Sequence, residues 1–305
     1  DARVIGQMEA YSHFGKYQIL DRIAFGGMAE LYRARIRGDQ GFQKFVAVKK
    51  MHAHFSTEPE AVEAFIAEAK LAAFLQHSNI VQIYDFGCME GAYFIVMEYL
   101  QGKDLRTLTT TLDEQQRPLG LENSLCVAAS ICAGLEYAHR LTDMAGRPLD
   151  IVHRDISPQN IMISYEGEVK ISDFGIAKAA SYSGFTQAGS ILGKLSYMSP
   201  EQVTAGESVD ARADIYALGI VFYELLSGAS LFRYGSVAQA LAEIPRSRVR
   251  PIDTLVPGIP EALARIVMKA LEKERDRRYP TAQALLEELE ALCRQLSITY
   301  SMTDL

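Results

Sequence analysis

No apolar run in these 305 residues approaches the ~18 consecutive residues that a membrane-spanning helix needs. The most apolar stretch, Ile215–Leu226, is broken by Glu224 and reads as a buried helix. Basic charge is also in short supply. Thirty-one Lys and Arg stand against 38 Asp and Glu, a net charge of −7, which disfavours nucleic acid as a main partner and a basic patch for membrane surfaces. Cysteine is scarce: Cys88, Cys126, Cys132 and Cys293 form no C-x-x-C pair and no zinc spacing. They are expected to be reduced, mostly core thiols of a cytoplasmic chain. No signal peptide is expected, and no internal repeat is found. The first residue is Asp1 rather than Met. The chain is therefore expected to be a piece of a longer protein, with any membrane anchor or sensor of the parent outside it.

The composition supports a packed core. Hydrophobic residues make up 49% and charged residues 23%, which argues against disorder, and the length suggests two lobes. Residues 1–13 have weak pattern and read as a leader. Short β-prone runs follow at Tyr17–Ile23, Ala29–Arg35 and Phe45–Lys50, separated by Gly26-Gly27 and by Gly38–Gly41. Glu60–Gln76 carries Val62, Phe65, Ile66, Ala69, Ala72 and Ala73 at a helical period. Two further strands are predicted at Val81–Cys88 and Ala92–Glu98. After Gly102 helical periods dominate, at Leu121–Arg140, Asp210–Ser227, Val237–Glu243, Pro260–Glu272 and Thr281–Leu296. Ala179–Gly193, rich in Ser and Gly, reads as a long functional loop.

Two polar constellations lie between the first two of those helices. His153-Arg154-Asp155-Ile156-Ser157-Pro158-Gln159-Asn160 follows the apolar pair Ile151-Val152, and Asp173-Phe174-Gly175 follows Val169–Ile171. One such triplet could be nothing more than turn formers. Two in this order, each after a β-like run, have the spacing of a phosphoryl-transfer loop and its magnesium-binding partner. Upstream, Val46-Ala47-Val48-Lys49 reads as a strand ending in a lysine, with Glu68 19 residues on, facing inward by period. Lys50 points to the opposite face and is expected to be solvated. Downstream come Tyr197-Met198-Ser199-Pro200-Glu201 and Asp276-Arg277-Arg278-Tyr279.

With these motifs in order, the chain resembles a serine/threonine protein kinase of the bacterial Hanks type, from about Phe14 to about Leu296. The resemblance implies an α+β, bilobal fold: a small β-rich N-lobe with one main helix over residues 14–98, a hinge at 99–102, a larger helical C-lobe over 103–296 and a tail at 297–305. It implies ATP and Mg²⁺, a protein substrate and a homodimer. Asp155 would orient the attacking hydroxyl and accept its proton. Asn160 and Asp173 would be the magnesium ligands. Lys49, held by Glu68, would bridge the α- and β-phosphates. Ala24, Gly26 and Gly27 would cover the phosphates with backbone N–H groups. Ala47, Met97, Glu98 and Leu100 would form the adenine site, with Asp104 on the ribose. Glu201 would pair with Arg278 beneath the activation segment, and Asp214 would brace the catalytic loop.

Three departures mark this chain. Ala24 and Ala29 replace the outer glycines of the phosphate-covering loop. Ser157 stands where serine/threonine kinases normally carry a lysine for the γ-phosphate. Gly193-Lys194 stands where they normally carry Gly-Thr. The two positions have exchanged character, and Lys194 is expected to reach back over the loop and supply the missing charge near Asp155. A degraded motif, leaving an ATP-binding scaffold without transfer, stays open on Ala24, Ala29 and Ser157. Arg154, just before Asp155, implies activation by a phosphate on the loop, with Thr186 the expected autophosphorylation site.

Overall fold

The β-branched and aromatic runs of the first hundred residues pair into one antiparallel sheet. In the computed structural model, which describes residues 13–174 and 188–299, the strands are β1 (His13–Phe14), β2 (Tyr17–Phe25), β3 (Ala29–Arg37), β4 (Gln43–Met51), β5 (Ile83–Met89) and β6 (Ala92–Glu98). Their order is β1-β2-β3-β4-β6-β5. One helix, α1 (Pro59–Ala72), accompanies them. Proline at its first turn, with Glu60 beside it, suits a helix start. Tyr17, Ile19, Ala34, Val46, Val48, Phe94 and Val96 form a buried cluster on one face of the sheet. Each large apolar side chain buried there contributes about 1.5–3 kcal/mol.

Several boundaries differ from the sequence reading by one or two residues, and one junction differs in a way that matters. The helix stops at Ala72 rather than Gln76, and β5 begins at Ile83 rather than Val81. The chain divides into two compact units: one is the chain up to Leu75 with Gln82–Tyr99, the other is Gln76–Val81 with the chain from Leu100 onward. The short segment Gln76–Val81 therefore belongs to the second unit. Val81 N–H donates to Ile171 O at 2.9 Å, and Ile80 bridges Ile171 in parallel. Periodicity within one segment carries no information about such a distant partner.

The second unit contains a small sheet of β7 (Gly102–Asp104), β8 (Ile161–Ser164) and β9 (Val169–Ile171). Its helices are α2 (Leu105–Glu114), α3 (Leu121–His139), α4 (Ala188–Leu195), α5 (Pro200–Val203), α6 (Arg212–Ser227), α7 (Val237–Glu243), α8 (Glu261–Ala270) and α9 (Ala282–Leu296). Helix α3 is buried along most of its length and packs on α6 and α9.

Three of these helices are absent from the sequence reading: α2, α4 and the one-turn α5. Helix α2 is threonine-rich, which lowers its propensity. It forms because Asp104 caps its first turn; the hydroxyls of Thr109, Thr110 and Thr111 are satisfied by donating to carbonyls one turn earlier. Helix α4 occupies the end of the stretch read as a loop, Ala179–Gly193. Its Leu195 is buried against Ala240 and Ile244, with Leu192 packed alongside. That tertiary contact outweighs the glycines at 189 and 193.

Gly102 allows β7 to lie against β8. A Cβ there would sit 1.9 Å from Ile163 O and 2.6 Å from Ser164 Cα. Gly102→Ala must push the strands apart, and a loss of about 2–4 kcal/mol is expected. Urea denaturation measures it; an unchanged midpoint would show that the strands separate at no cost.

Candidate active site

In the first unit the ladder sets the geometry. Ala47 lies opposite Met97, and Val46 opposite Glu98, across β4 and β6. Ala47 and Met97 are both buried. Two residues on, Lys49 Nζ lies 2.6 Å from Glu68 Oε1 on α1. Both side chains are mostly buried, at 20% and 15% exposure, so this is not a solvated surface pair. Lys50, expected to be solvated, is half-buried, with Nζ 4.8 Å from the centre of the Phe14 ring. Strand β1 supplies that ring, and at two residues it is too short to leave a mark in the pattern.

The glycine turn between β2 and β3 is tight. Gly26 N–H donates to Ala29 O at 2.9 Å. A Cβ on Gly26 would approach that oxygen to 3.0 Å, whereas one on Gly27 would meet nothing within 4 Å. A residue missed by sequence reasoning closes the turn. His52, just past β4, donates its backbone N–H to Met28 O at 2.9 Å, and its Nε2 lies 2.8 Å from Gly26 O. Its ring sits 4.8 Å from that of Phe25 and 5.5 Å from that of His54. The run of histidines at 52 and 54 was the only available sign.

In the second unit the β8–β9 hairpin brings the polar residues together. Ile161 pairs with Ile171, and Ser172 N–H donates to Asn160 O at 2.8 Å, so Asn160 and Asp173 emerge side by side from the ladder's end. The Asn160 amide nitrogen donates to Asp155 O at 2.7 Å and to Asp155 Oδ2 at 2.9 Å. Lys194 Nζ, from the last turn of α4, lies 2.8 Å from the same Oδ2. Asp155 is buried, and Lys194 keeps 25% of its side chain exposed. Ser157 is fully buried, and its hydroxyl has no hydrogen-bond partner among the described residues.

Asp173 has a left-handed backbone, φ 54°. Its neighbours hold it so. Phe174 is buried against the His153 ring at 4.5 Å. His153 Nδ1 accepts from Asp155 N–H at 3.2 Å, which puts the ring proton on Nε2, 3.1 Å from Ser172 O.

Buried Asp214, on α6, braces the loop from below. It accepts from His153 N–H at 2.8 Å, from Arg154 N–H at 2.7 Å, and from His139 Nε2 at 2.8 Å. Arg154 is held at φ 63°. Gln202 of α5 donates to Arg154 O at 2.9 Å. Neither His139 nor Gln202 carried a sequence signal, because each acts on a loop distant in sequence.

Glu201 and Arg278 form a buried bidentate pair at 2.6 and 2.8 Å. Tyr197 donates to Glu224 at 2.6 Å. Burial, then the Glu224 charge, pushes the Tyr197 phenol up, and burial pushes the Glu224 carboxyl up. Both carboxylate oxygens of Asp104 accept from Thr107, its N–H at 2.9 Å and its hydroxyl at 2.6 Å. Thr186 lies outside the described residues.

Residues 17–289 match the protein kinase domain family. The chain is 42% identical over 277 residues to the tyrosine-protein kinase MasK of Myxococcus xanthus, covering 91% of this chain and 43% of that protein. It is 36% identical over 277 residues to the serine/threonine-protein kinase PrkC of Bacillus subtilis, covering 91% of this chain and 40% of that protein. The chain thus spans less than half the length of these relatives. The PknI kinase domain of Mycobacterium tuberculosis shares the fold, with a TM-score of 0.70 at 23% identity over 95% of this chain and all of that one. Motif order, sheet topology, the polar cluster on Asp155 and these similarities agree: the chain belongs to the protein kinase family.

Proposed function

We propose that this chain transfers the γ-phosphate of ATP to hydroxyls of protein substrates, as a magnesium-dependent serine/threonine kinase. One observation carries the reading. A buried carboxylate, Asp155, is held by an amide and an ammonium on one oxygen, in a loop that also presents Asn160, with Asp173 beside it past β9. Transfer needs little covalent chemistry from the protein; it needs positioning and charge neutralisation.

The residues fit the groups they would hold. Asp155 O and Oδ2 take the hydrogens of the Asn160 amide nitrogen. What remains of that amide is an oxygen, and with the Asp173 carboxylate it makes the hard-oxygen pair that Mg²⁺ accepts. Held by Asn160 and Asp173, Mg²⁺ would supply neutralisation of charge on the phosphate oxygens. Lys49, oriented by Glu68, would hold the α- and β-phosphates, and the turn of Ala24, Gly26 and Gly27 would cover them, with the Gly26 N–H already given to Ala29 O rather than free for a phosphate as the sequence reading expects. Ala47, Met97, Glu98 and Leu100 would take the adenine. A ribose contact at Asp104 would share the oxygens that cap α2. Asp155 aligns the acceptor hydroxyl and takes its proton. Lys194 steadies that carboxylate and supplies positive charge beside it, which the neutral hydroxyl of Ser157 cannot.

Arg154 supports control by autophosphorylation. Its Nε is buried and has no hydrogen-bond partner among the described residues, so a phosphate on Thr186 would meet an unsatisfied donor. Cytoplasmic location and a homodimer rest on the resemblance. Among the described residues no helix is long and apolar enough to cross a membrane.

A tyrosine acceptor is the second reading. It is favoured by the name of MasK and by Ser157, which replaces the lysine usual in serine/threonine kinases. Incubation with labelled ATP and Mg²⁺, followed by phosphoamino-acid analysis and site mapping, separates the readings. Label on serine and threonine, Thr186 included, is expected. Label on tyrosine alone supports the second reading. No label above that of Asp155→Asn leaves a nucleotide-binding scaffold.

The His52 brace adds a smaller prediction. His52→Ala removes a bond worth about 1 kcal/mol, so ATP binds about fivefold more weakly. Nucleotide titration measures this, and an unchanged Kd would show that the turn closes without the imidazole.

A further inference from the structure

A cavity of about 600 Å³ opens beside α7 in the second unit, walled by the end of α6 and the segments on either side of α7. Its lining contains Arg233, Arg246, Arg248 and Arg250. Among the described residues none of the four has a carboxylate within ion-pair distance; Arg250 Nε donates only to Thr254 Oγ1, at 2.9 Å. Elsewhere in the chain arginines are commonly paired, as Arg33, Arg147, Arg212 and Arg278 are. The only acidic side chain in the lining is Glu243, which accepts from Gln239 at 2.9 Å.

Two further observations point to a ligand. Tyr234 also lines the cavity, and its hydroxyl is buried with no hydrogen-bond partner among the described residues. Burial, and then Glu243, pushes that phenol up to about 12, so it remains a donor. The protein as a whole carries −7, so four guanidiniums around one concavity run against its overall charge. A concave wall of one sign concentrates the opposite sign, and guanidinium groups match carboxylate and phosphate oxygens in shape.

The position of Tyr234 suggests what the anion is attached to. Tyr234 packs on the cluster of Leu195, Ala240 and Ile244, so it separates the cavity from α4, the helix that carries Lys194. A polypeptide anchored here would lie across Tyr234 from the helix that bears Lys194. We propose that this cavity is a docking site for an acidic or phosphorylated segment of the polypeptide substrate, distinct from the residues that perform transfer.

The test uses the 305-residue chain and two fluorescent probes: a hexaglutamate peptide, and a five-residue peptide with one central phosphoserine. Unphosphorylated peptide and inorganic phosphate serve as comparisons. Both acidic probes should bind by anisotropy, with affinity falling as salt rises. Arg246→Glu/Arg248→Glu should weaken binding about tenfold or more, whereas Arg265→Glu, an exposed charge reversal on α8, should not. Thermal melts confirm that each variant folds. Tyr234→Phe, a milder change, should weaken the phosphoserine probe about three- to tenfold. Equal binding by wild type and the Arg246/Arg248 variant, or binding of inorganic phosphate as tight as that of the peptides, would overturn the proposal. The binding arm needs no catalysis and stands apart from the proposed activity. A kinetic arm rests on that activity: adding an acidic tail to a substrate peptide should lower KM in the wild type and not in the variant, with kcat unchanged.

Discussion

Asp155→Asn should abolish phosphate transfer, and Lys194→Ala should lower kcat about a hundredfold. The first removes the group that takes the hydroxyl proton, an effect of about 10²–10⁴. The second removes a preorganised charge, and such groups are worth about 10²–10³ in kcat. The mechanism for Lys194 is specific. Its ammonium lies 2.8 Å from Asp155 Oδ2 on a largely buried carboxylate, where screening by water is weak. Ser157 cannot substitute, because a neutral hydroxyl supplies no positive charge. Lysine at 157 should restore the charge from the loop itself. Ser157→Lys alone would crowd two ammonium groups around Asp155 and should also reduce activity. Ser157→Lys with Lys194→Thr should recover most of it, a coupling visible only in the double-mutant cycle. Steady-state kinetics on one peptide decides the matter. Lys194→Ala with unchanged kcat and ATP affinity would reduce this lysine to a spectator.

Arg278→Ala should cost about 3–5 kcal/mol of stability, as breaking a buried ion pair does. The side chain uses all five of its N–H groups. Two meet Glu201, and the others meet the carbonyls of Glu272, Arg212 and Lys273 at 2.7, 3.0 and 3.0 Å. Its guanidinium also lies 4.7 Å from the centre of the Tyr216 ring. Removing it leaves the Glu201 carboxylate buried without its partner, together with three orphaned carbonyls. Arg278→Lys keeps the charge but offers only three donors without the fork, so an intermediate loss is expected. Glu201 lies on α5, two residues before Val203 and next to Gln202, which holds Arg154 O. The same change should therefore loosen the catalytic loop and lower kcat at temperatures where the protein remains folded. Urea denaturation gives the first effect. A loss below about 1 kcal/mol would place the pair among screened surface contacts.

The sequence alone determined the protein kinase family and most of the elements. Short-range rules suffice there: period-two and period-3.6 patterns mark strands and helices, and Asp155, Asn160 and Asp173 stand close enough along the chain for spacing to be informative. The exchange between Ser157 and Lys194 was also visible, as a pair of departures. Where the chain folds back on itself, spacing carries nothing. The meeting of Lys194 with Asp155 depends on α4, a glycine-containing helix that forms because Leu195 packs on Ala240 and Ile244. The braces supplied by His139 and Gln202, the closure of the glycine turn by His52, and the transfer of Gln76–Val81 to the second unit each join segments far apart in sequence. So does the arginine-lined cavity, whose charges read along the chain as ordinary surface residues. Local propensity is a property of neighbours; which unpaired donors end up facing one another is decided only when the core closes.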